Sequence, residues 1–419
     1  MSNAPNFAEV LLTLAAEIGL SRPRAWGDGV GETVRLIRQR VAPRENLAFA
    51  LVGSPRIGER RSVSPAVLRR FPPWIGHDAP ADWFQAGGNV AEAPETFIVR
   101  LPGAYICRVG TAPIVVAGDG GRVIRDASSR YAPLLHYANV DLVELLARSR
   151  EIAGPVFLLS DDVWPPNYSH WLLDTLPRLA ALAESGWGAG VTLATTTLTA
   201  AYQWETLRLC GWDKSRIVQL ASMQAVRAGT VIATTDQPRP PHPLFKAAPW
   251  AARWLRRNFG PPAGGRADPA RGRRIYVSRR DAPGRRVLNE ADLTRALAAR
   301  GFETVSLAGM SVREQAALFD SAAWIVAPHG AALANMVFAR PGATLLELFP
   351  RSYGTPAYYM LAAAAQVRYG CHIVPETAVA PREDRSLDDF SVDVAALMDR
   401  YADLLPPQAA AERNRRDER

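Results

Sequence analysis

Hydrophobic and polar positions alternate with different periods along the chain, and the changes of period mark its parts. Phe7, Val10, Leu11, Leu14 and Ile18 recur at helical spacing near the amino terminus, and Thr33–Arg40 is a second helix candidate. Residues 54–88 are rich in Pro, Gly and Arg. Residues 1–91 therefore read as an amino-terminal extension that packs on the rest. From Thr96 to Asp126 the apolar runs shorten to two or three residues: Phe97–Val99, Tyr105–Cys107, Ile114–Val116 and Val123–Ile124. Turn residues (Pro102, Gly103, Gly110, then Gly118–Gly121) separate them, the pattern of antiparallel hairpins.

After a helix candidate at Asp141–Arg150, strand and helix patterns take turns. Val156–Leu159, Val191–Ala194, Ile217–Leu220 and Thr230–Ala233 are strand-like. Tyr168–Glu184 and Leu198–Cys210 are helical, the first kinked at Pro177 and the second stopped by Gly211. The run Pro238–Pro243, PRPPHP, can continue neither a helix nor a central strand and reads as a linker.

Beyond the linker the alternation restarts with a helix at Trp250–Phe259 and a strand at Arg274–Val277. A helix, Glu290–Arg300, stops at Gly301, and Phe302–Val305 is the next strand. Ser311 and Glu314 form a capping box for a helix running to Phe319. Trp324–Ala327 and Thr344–Phe349 are short apolar runs on either side of a helix candidate, Ala331–Ala339. Such repeated strand–helix steps predict a doubly wound parallel sheet. The expected architecture is α/β: an α/β domain with leading hairpins over 92–240, then a Rossmann-like domain over 241–380. A carboxyl-terminal helix over 381–405 and a disordered polar tail over 406–419 complete it.

Composition narrows the role. A chain of 419 residues with 48% hydrophobic positions can fill real cores. The formal charge of +8 suits an anionic partner, but its arginines are dispersed, and no nucleic acid is expected. Cys107, Cys210 and Cys371 lie far apart, which suggests a reducing compartment without a disulfide framework. No apolar stretch reaches the roughly 18 residues of a membrane span. The protein is expected to be cytoplasmic, with at most peripheral contact with the inner membrane.

Three clusters can carry chemistry. Pro328-His329-Gly330-Ala331-Ala332 lies where a strand ends and a helix opens, the place where α/β sheets receive ligands and where helix N–H groups attract anions. There His329 can donate to a phosphate oxygen, Asn335 sits a turn further in, and Glu347 on the next strand can accept from ribose hydroxyls. The bland alternative is that His329 fills a turn and Glu347 forms a buried ion pair. The second cluster is Arg279, Arg280, Arg285 and Arg286, directly after a strand. Their guanidinium forks match diphosphate oxygens, although a solvated basic loop has the same composition.

The third cluster is NYSHWLLDTLPRL, Asn167–Leu179, in which His170 and Asp174 share one helix face. They can act as general base and orienter, form half of a metal site, or merely stabilise the helix. No Asp-x-Asp pair follows a strand to anchor a metal-bound nucleotide.

NYSHWLLDTLPRL, YVSRRDAPGRRVLNEADL and VAPHGAALANMVFARPGATLLELFP resemble, in order and separation, three segments of glycosyltransferase family 61. IVVAGDGGRVIRD resembles what precedes them there. The likeness covers roughly residues 95–375. It implies a GT-B-like fold, two Rossmann-like domains facing a cleft, and transfer from a nucleotide sugar with inversion, without a required metal or other cofactor. It also implies a saccharide or lipid-linked saccharide acceptor, in bacterial capsule, exopolysaccharide or lipopolysaccharide synthesis.

By the resemblance His329, Gly330, Ala331 and Asn335 belong to donor binding, and Arg279 faces the diphosphate. Asn167, His170 and Asp174 line the acceptor side. Asp174 is preferred as the base and His170 is the runner-up. Two other readings remain: a nucleotide-sugar epimerase, which would need no acceptor, and a non-catalytic phosphate or nucleic-acid binder.

Overall fold

The computed structural model describes residues 48–50, 58–64, 67–70, 90–93, 95–110, 112–118, 122–128, 141–159, 167–235, 248–262, 268, 271–374, 387–403 and 405–406. The helix candidates near the amino terminus, the proline-rich linker and the polar tail beyond 406 lie outside the described residues. The chain divides into two compact units whose main segments are Glu92–Leu244 and Phe245–Arg419.

Ala48–Ala50 (β1) and Glu59–Ser64 (β2) join a ten-stranded mixed sheet in the first unit; Val67–Arg70 (β3) and Val90–Ala93 (β4) pair as a separate ribbon. Thr96–Pro102 (β5), Tyr105–Val109 (β6), Ala112–Val116 (β7) and Arg122–Ile124 (β8) are the expected short strands. β6, β7 and β8 pair antiparallel in sequence order. β5 does not pair with its neighbour β6. Both lie along one long strand, Gln224–Thr234, which pairs antiparallel first with β6 and then with β5.

The other edge of that strand pairs parallel with Arg150–Leu158 (β9), followed outward by Thr192–Thr196 (β10) and Ile217–Leu220 (β11). Gln224–Thr234, now β12, thus welds the hairpins and the α/β part into one sheet. The register shifts between Ala228 and Thr230. A Cβ on the intervening Gly229 would lie 2.1 Å from the Ala153 carbonyl, so only glycine fits. Helices Leu142–Ala147 (α1), Arg178–Ser185 (α2) and Ala201–Leu209 (α3) complete the unit. Val99, Ile106, Val156, Leu158 and Val231, all nearly inaccessible, pack together on the sheet.

The second unit is a five-stranded parallel sheet in the order β14-β13-β15-β16-β17. Its strands are Arg273–Val277 (β13), Glu303–Val305 (β14), Ala322–Pro328 (β15), Thr344–Pro350 (β16) and Arg368–Val374 (β17). Pro249–Phe259 (α4), Glu290–Ala298 (α5), Val312–Ser321 (α6), Ala357–Ala365 (α7) and Val394–Arg400 (α8) accompany it. The capping box is present as expected: Ser311 Oγ accepts from the Glu314 N–H, and the Glu314 carboxylate accepts from the Ser311 N–H.

All seven residues of β16 are buried, as for a strand covered on both faces. Leu345, Leu346 and Leu348 each contribute about 1.5–3 kcal/mol by that burial. The helix expected after β15 is a 3-10 helix, Ala331–Phe338. Arg256 of α4 holds its end: Nε donates to the Val337 carbonyl at 2.5 Å and Nη2 to that of Ala339 at 2.7 Å. These carbonyls have no partner within their own helix, so a cation is the fitting cap.

Candidate active site

In the first unit the backbone makes an unusual turn at the candidate base. Asn167 caps a single helical turn, Tyr168–His170, its Oδ1 accepting from the Ser169 N–H and Oγ–H at 2.9 and 2.8 Å. The next residues, Trp171–Thr175, form a π turn in which the Leu176 N–H bonds to the Trp171 carbonyl. Pro177 then opens α2. A proline there has no N–H, and its ring needs room near the carbonyl four residues back. The chain answers by widening one turn instead of kinking as a whole, and such π turns occur often at functional sites.

His170 and Asp174 lie on this wide turn, with Nδ1 and Oδ2 2.7 Å apart. Their side chains retain 13% and 15% exposure, enough for exchange with a ligand. A proton on Nδ1 bonded to the carboxylate leaves Nε2 as the basic nitrogen. Asp174 is further fixed through its backbone carbonyl, which accepts from Arg178 Nε at 3.0 Å. Asn167 uses its side-chain oxygen as a helix cap, so its observed task is to hold the turn that carries His170.

In the second unit the site gathers at the carboxyl ends of β13, β15 and β16. The loop after β13 sorts its four arginines into two pairs of duties. Arg280 bonds the nearly buried Glu290 through Nη2 at 3.0 Å, and Arg286 bonds Asp389 through Nη2 at 2.7 Å. Arg279 and Arg285 instead turn to the Pro328-His329-Gly330 corner. Arg285 Nε donates to the His329 carbonyl at 3.1 Å, and its guanidinium lies 5.2 Å from the Tyr353 ring centroid.

Arg279 packs against Gly330 so closely that a Cβ there would fall 1.8 Å from Nη1. Arg279 Nη2 donates to the Gly284 carbonyl at 2.9 Å, while its buried Nε has no partner. Among the described residues Arg279 makes no ion pair. Burial, reinforced by Arg285 and opposed by Tyr358, Asp281 and Asp389, pushes its guanidinium down to about 10, so it remains cationic at neutral pH. Gly284 is itself required, because a Cβ would meet the Leu387 carbonyl at 2.5 Å. The segment at Leu387–Phe390 straps the arginine loop in place, with Arg285 N–H donating to Leu387 and Phe390 N–H to Arg286.

His329 is almost fully buried. Its ring stacks on Phe349 at 5.0 Å between centroids and lies against Tyr353 and Tyr358, each at 5.2 Å. Nδ1 is 2.5 Å from Glu347 Oε1, and Glu347 Oε2 accepts from the Tyr369 hydroxyl at 2.7 Å. Glu347 is inaccessible and both its oxygens are engaged, which corrects the expected contact with ribose: it is a buried partner of His329. Asn335 is likewise inaccessible. Its Nδ2 donates to Gln315 Oε1 and to the Ala332 carbonyl, which braces the 3-10 helix against α6 instead of facing a donor. Ala331, half-buried, opens that helix beside the corner.

The structure therefore assembles Arg279, His329, Gly330 and Ala331 as one locus, and His170 with Asp174 as another. The sequence reading overlooked Tyr369, Tyr353 and Tyr358. The signal for Tyr353 and Tyr358 was the density of aromatic residues in FPRSYGTPAYY, at the end of the second strand of the corner; Tyr369 lies beyond it, on the next strand. Among the described residues no three His, Cys, Asp or Glu side chains cluster as metal ligands. No described helix is long and apolar enough to cross a membrane.

No curated protein matches the chain. Residues 168–346 match the family model of glycosyltransferase 61, a stretch that begins at the turn bearing His170, takes in the whole arginine loop and the His329 corner, and ends one residue before Glu347. With both loci inside that stretch, the chain carries a glycosyltransferase 61 domain and is a glycosyltransferase.

Proposed function

We propose that the enzyme transfers a sugar, with inversion, from a nucleotide-sugar donor to a hydroxyl of a saccharide or lipid-linked saccharide acceptor. The observation that carries this reading is Arg279, a largely buried cation that makes no ion pair among the described residues and is pressed against Gly330 at the carboxyl edge of a parallel sheet. A buried charge without a counter-ion is costly unless a ligand supplies one. A diphosphate does so, and guanidinium forks suit its geometry.

In this reading the second unit receives the leaving group. As the bond from the anomeric carbon to the diphosphate oxygen breaks, its electron pair stays on that oxygen. Arg279, Arg285 and His329 are placed to meet the charge, and fixed donors aimed at a developing anion lower the barrier. The first unit removes the proton. The acceptor oxygen forms the new bond to carbon, and its hydrogen passes to His170 Nε2 while Asp174 holds Nδ1–H. The 2.7 Å contact between Asp174 and His170 supports this choice of His170, the runner-up in the sequence reading, over Asp174 as the base.

The resemblance favours a GT-B-like pairing of domains and a role in cell-surface polysaccharide assembly in the cytoplasm. A panel of UDP-, GDP-, dTDP- and CMP-sugars, tested for thermal stabilisation and for nucleotide release with acceptor, checks the reading. Stabilisation by one nucleotide class is the expected result, and no stabilisation by any would overturn it. Conversion of a lone nucleotide sugar into an isomer would point to an epimerase instead.

A further inference from the structure

Glu347 lies in the middle of β16 between Leu346 and Leu348, every residue of that strand being buried. An isolated carboxylate in such a place neutralises itself or finds partners. Glu347 has one partner on each oxygen, so an unbranched chain runs from Tyr369 on β17, through Glu347 on β16, to His329 at the end of β15. Phe349, Tyr353 and Tyr358 clasp the histidine ring and restrict its rotation. Among the described residues Nε2 of His329 has no hydrogen-bond partner, and the side chain keeps 8% of its exposure.

We propose that Glu347 and Tyr369 are positioning residues that keep the His329 proton on Nε2, so that the neutral ring donates a hydrogen bond to the leaving diphosphate. This rests on the donor-site reading above and adds to it a direction of hydrogen bonding. The proton stays on Nε2 throughout, and the ring stabilises the anion without being consumed.

The proton inventory follows from the surroundings. Burial, opposed by the Tyr369 hydroxyl and by Arg285, pushes the Glu347 carboxyl up to about 8. Burial, then Arg285 and Arg279, push the His329 ring well below its ordinary range. At neutral pH the acid therefore donates its own proton to Nδ1, and the imidazole proton must sit on Nε2. Loss of one proton from the pair leaves the other on Nδ1, facing the carboxylate. Nε2 then presents a lone pair, which repels a phosphate oxygen.

The groups around the pair come from several elements. Arg279 and Arg285 approach from the loop after β13, Tyr353 from the turn after β16 and Tyr358 from α7. Tyr369 stands behind the carboxylate, with Cys371 and Tyr401 beside it. Arg279, at about 10, stays charged on both sides of the step, so titration reverses one hydrogen bond and leaves that cation in place.

The test is calorimetric binding of inorganic pyrophosphate to the full chain on both sides of pH 8, for the wild type, Glu347→Gln and Tyr369→Phe. Wild-type affinity should fall about tenfold or more as the pair loses its proton, the scale of one hydrogen bond to a charged group. Glu347→Gln cannot titrate and should lack that step; the difference between the two proteins cancels the titration of pyrophosphate itself. Tyr369→Phe removes a bond that favours the carboxylate, so its step should move to higher pH. Imidazole nitrogen NMR should find the His329 proton on Nε2 below the step and on Nδ1 above it. An unchanged step in both variants, or a proton on Nδ1 below it, would overturn the proposal alone. Failure of the wild type to bind pyrophosphate at any pH would overturn the donor-site reading as well.

Discussion

Among the described residues two histidine–carboxylate pairs, His170–Asp174 and His329–Glu347, are built in opposite ways. His170 and Asp174 are four residues apart on one widened helical turn, partly exposed and 2.7 Å apart. His329 and Glu347 come from neighbouring strands, 18 residues apart, with the carboxylate wholly inaccessible. The first pair is open to solvent and to a ligand, as a general base must be. Burial fixes the proton inventory of the second, which suits a donor that must not change state during the reaction. In the proposed mechanism the same two residue types thus serve two duties, and the surroundings assign them.

If the first pair is the base, His170→Ala should lower kcat by about 10²–10⁴-fold and leave donor affinity unchanged. Steady-state kinetics beside nucleotide calorimetry would show it, and weakened binding with preserved turnover would dissolve the distinction. Asp174→Ala should act the same way to a smaller extent, through a misoriented ring. The second locus should respond in the other sense: Arg279→Ala should weaken nucleotide binding by about 10–100-fold, as expected on losing a charged hydrogen-bonding group.

Gly330→Ala sharpens the picture further. Its new methyl would displace the Arg279 guanidinium, so donor affinity should fall by about tenfold in the wild type. In an Arg279→Ala background the same substitution should cost little, and a double-mutant cycle would report that coupling. The smallest effect belongs to Arg280→Ala, one residue along the loop. Arg280 is 76% exposed and spends its charge on Glu290, so stability should change by about 1 kcal/mol or less and nucleotide affinity not at all. Equal losses at Arg279 and Arg280 would mean that the loop acts as a diffuse basic surface.

Much of the second unit was legible in the sequence because its signals are local. Apolar runs flanked by Gly and Pro, a Ser–Glu capping box and glycine stops act within a few residues and need no distant partner. The strand Arg368–Val374 and its helix escaped because the left-handed stop between them falls on Gln366, at φ 58°, where no Gly, Asn or Pro marks it in AAAAQVRY. The hairpin expected between β5 and β6 failed for another reason. Short strands with turn residues between them specify that they are strands, but the partner is chosen by whichever long edge is available, here β12.

The site divides along the same line. The sequence by itself placed His170 beside Asp174, set a basic loop after a strand and marked the histidine–glycine corner, because helical periodicity and the strand–helix rule fix those positions. It could not tell Arg279 from Arg280, nor see that Glu347 belongs to His329 and not to a ribose. Those outcomes depend on which side chains the folded sheet brings together and how much water it removes from them. Charge pairing and proton position respond to burial and to neighbours from distant segments, and those exist only once the chain has folded.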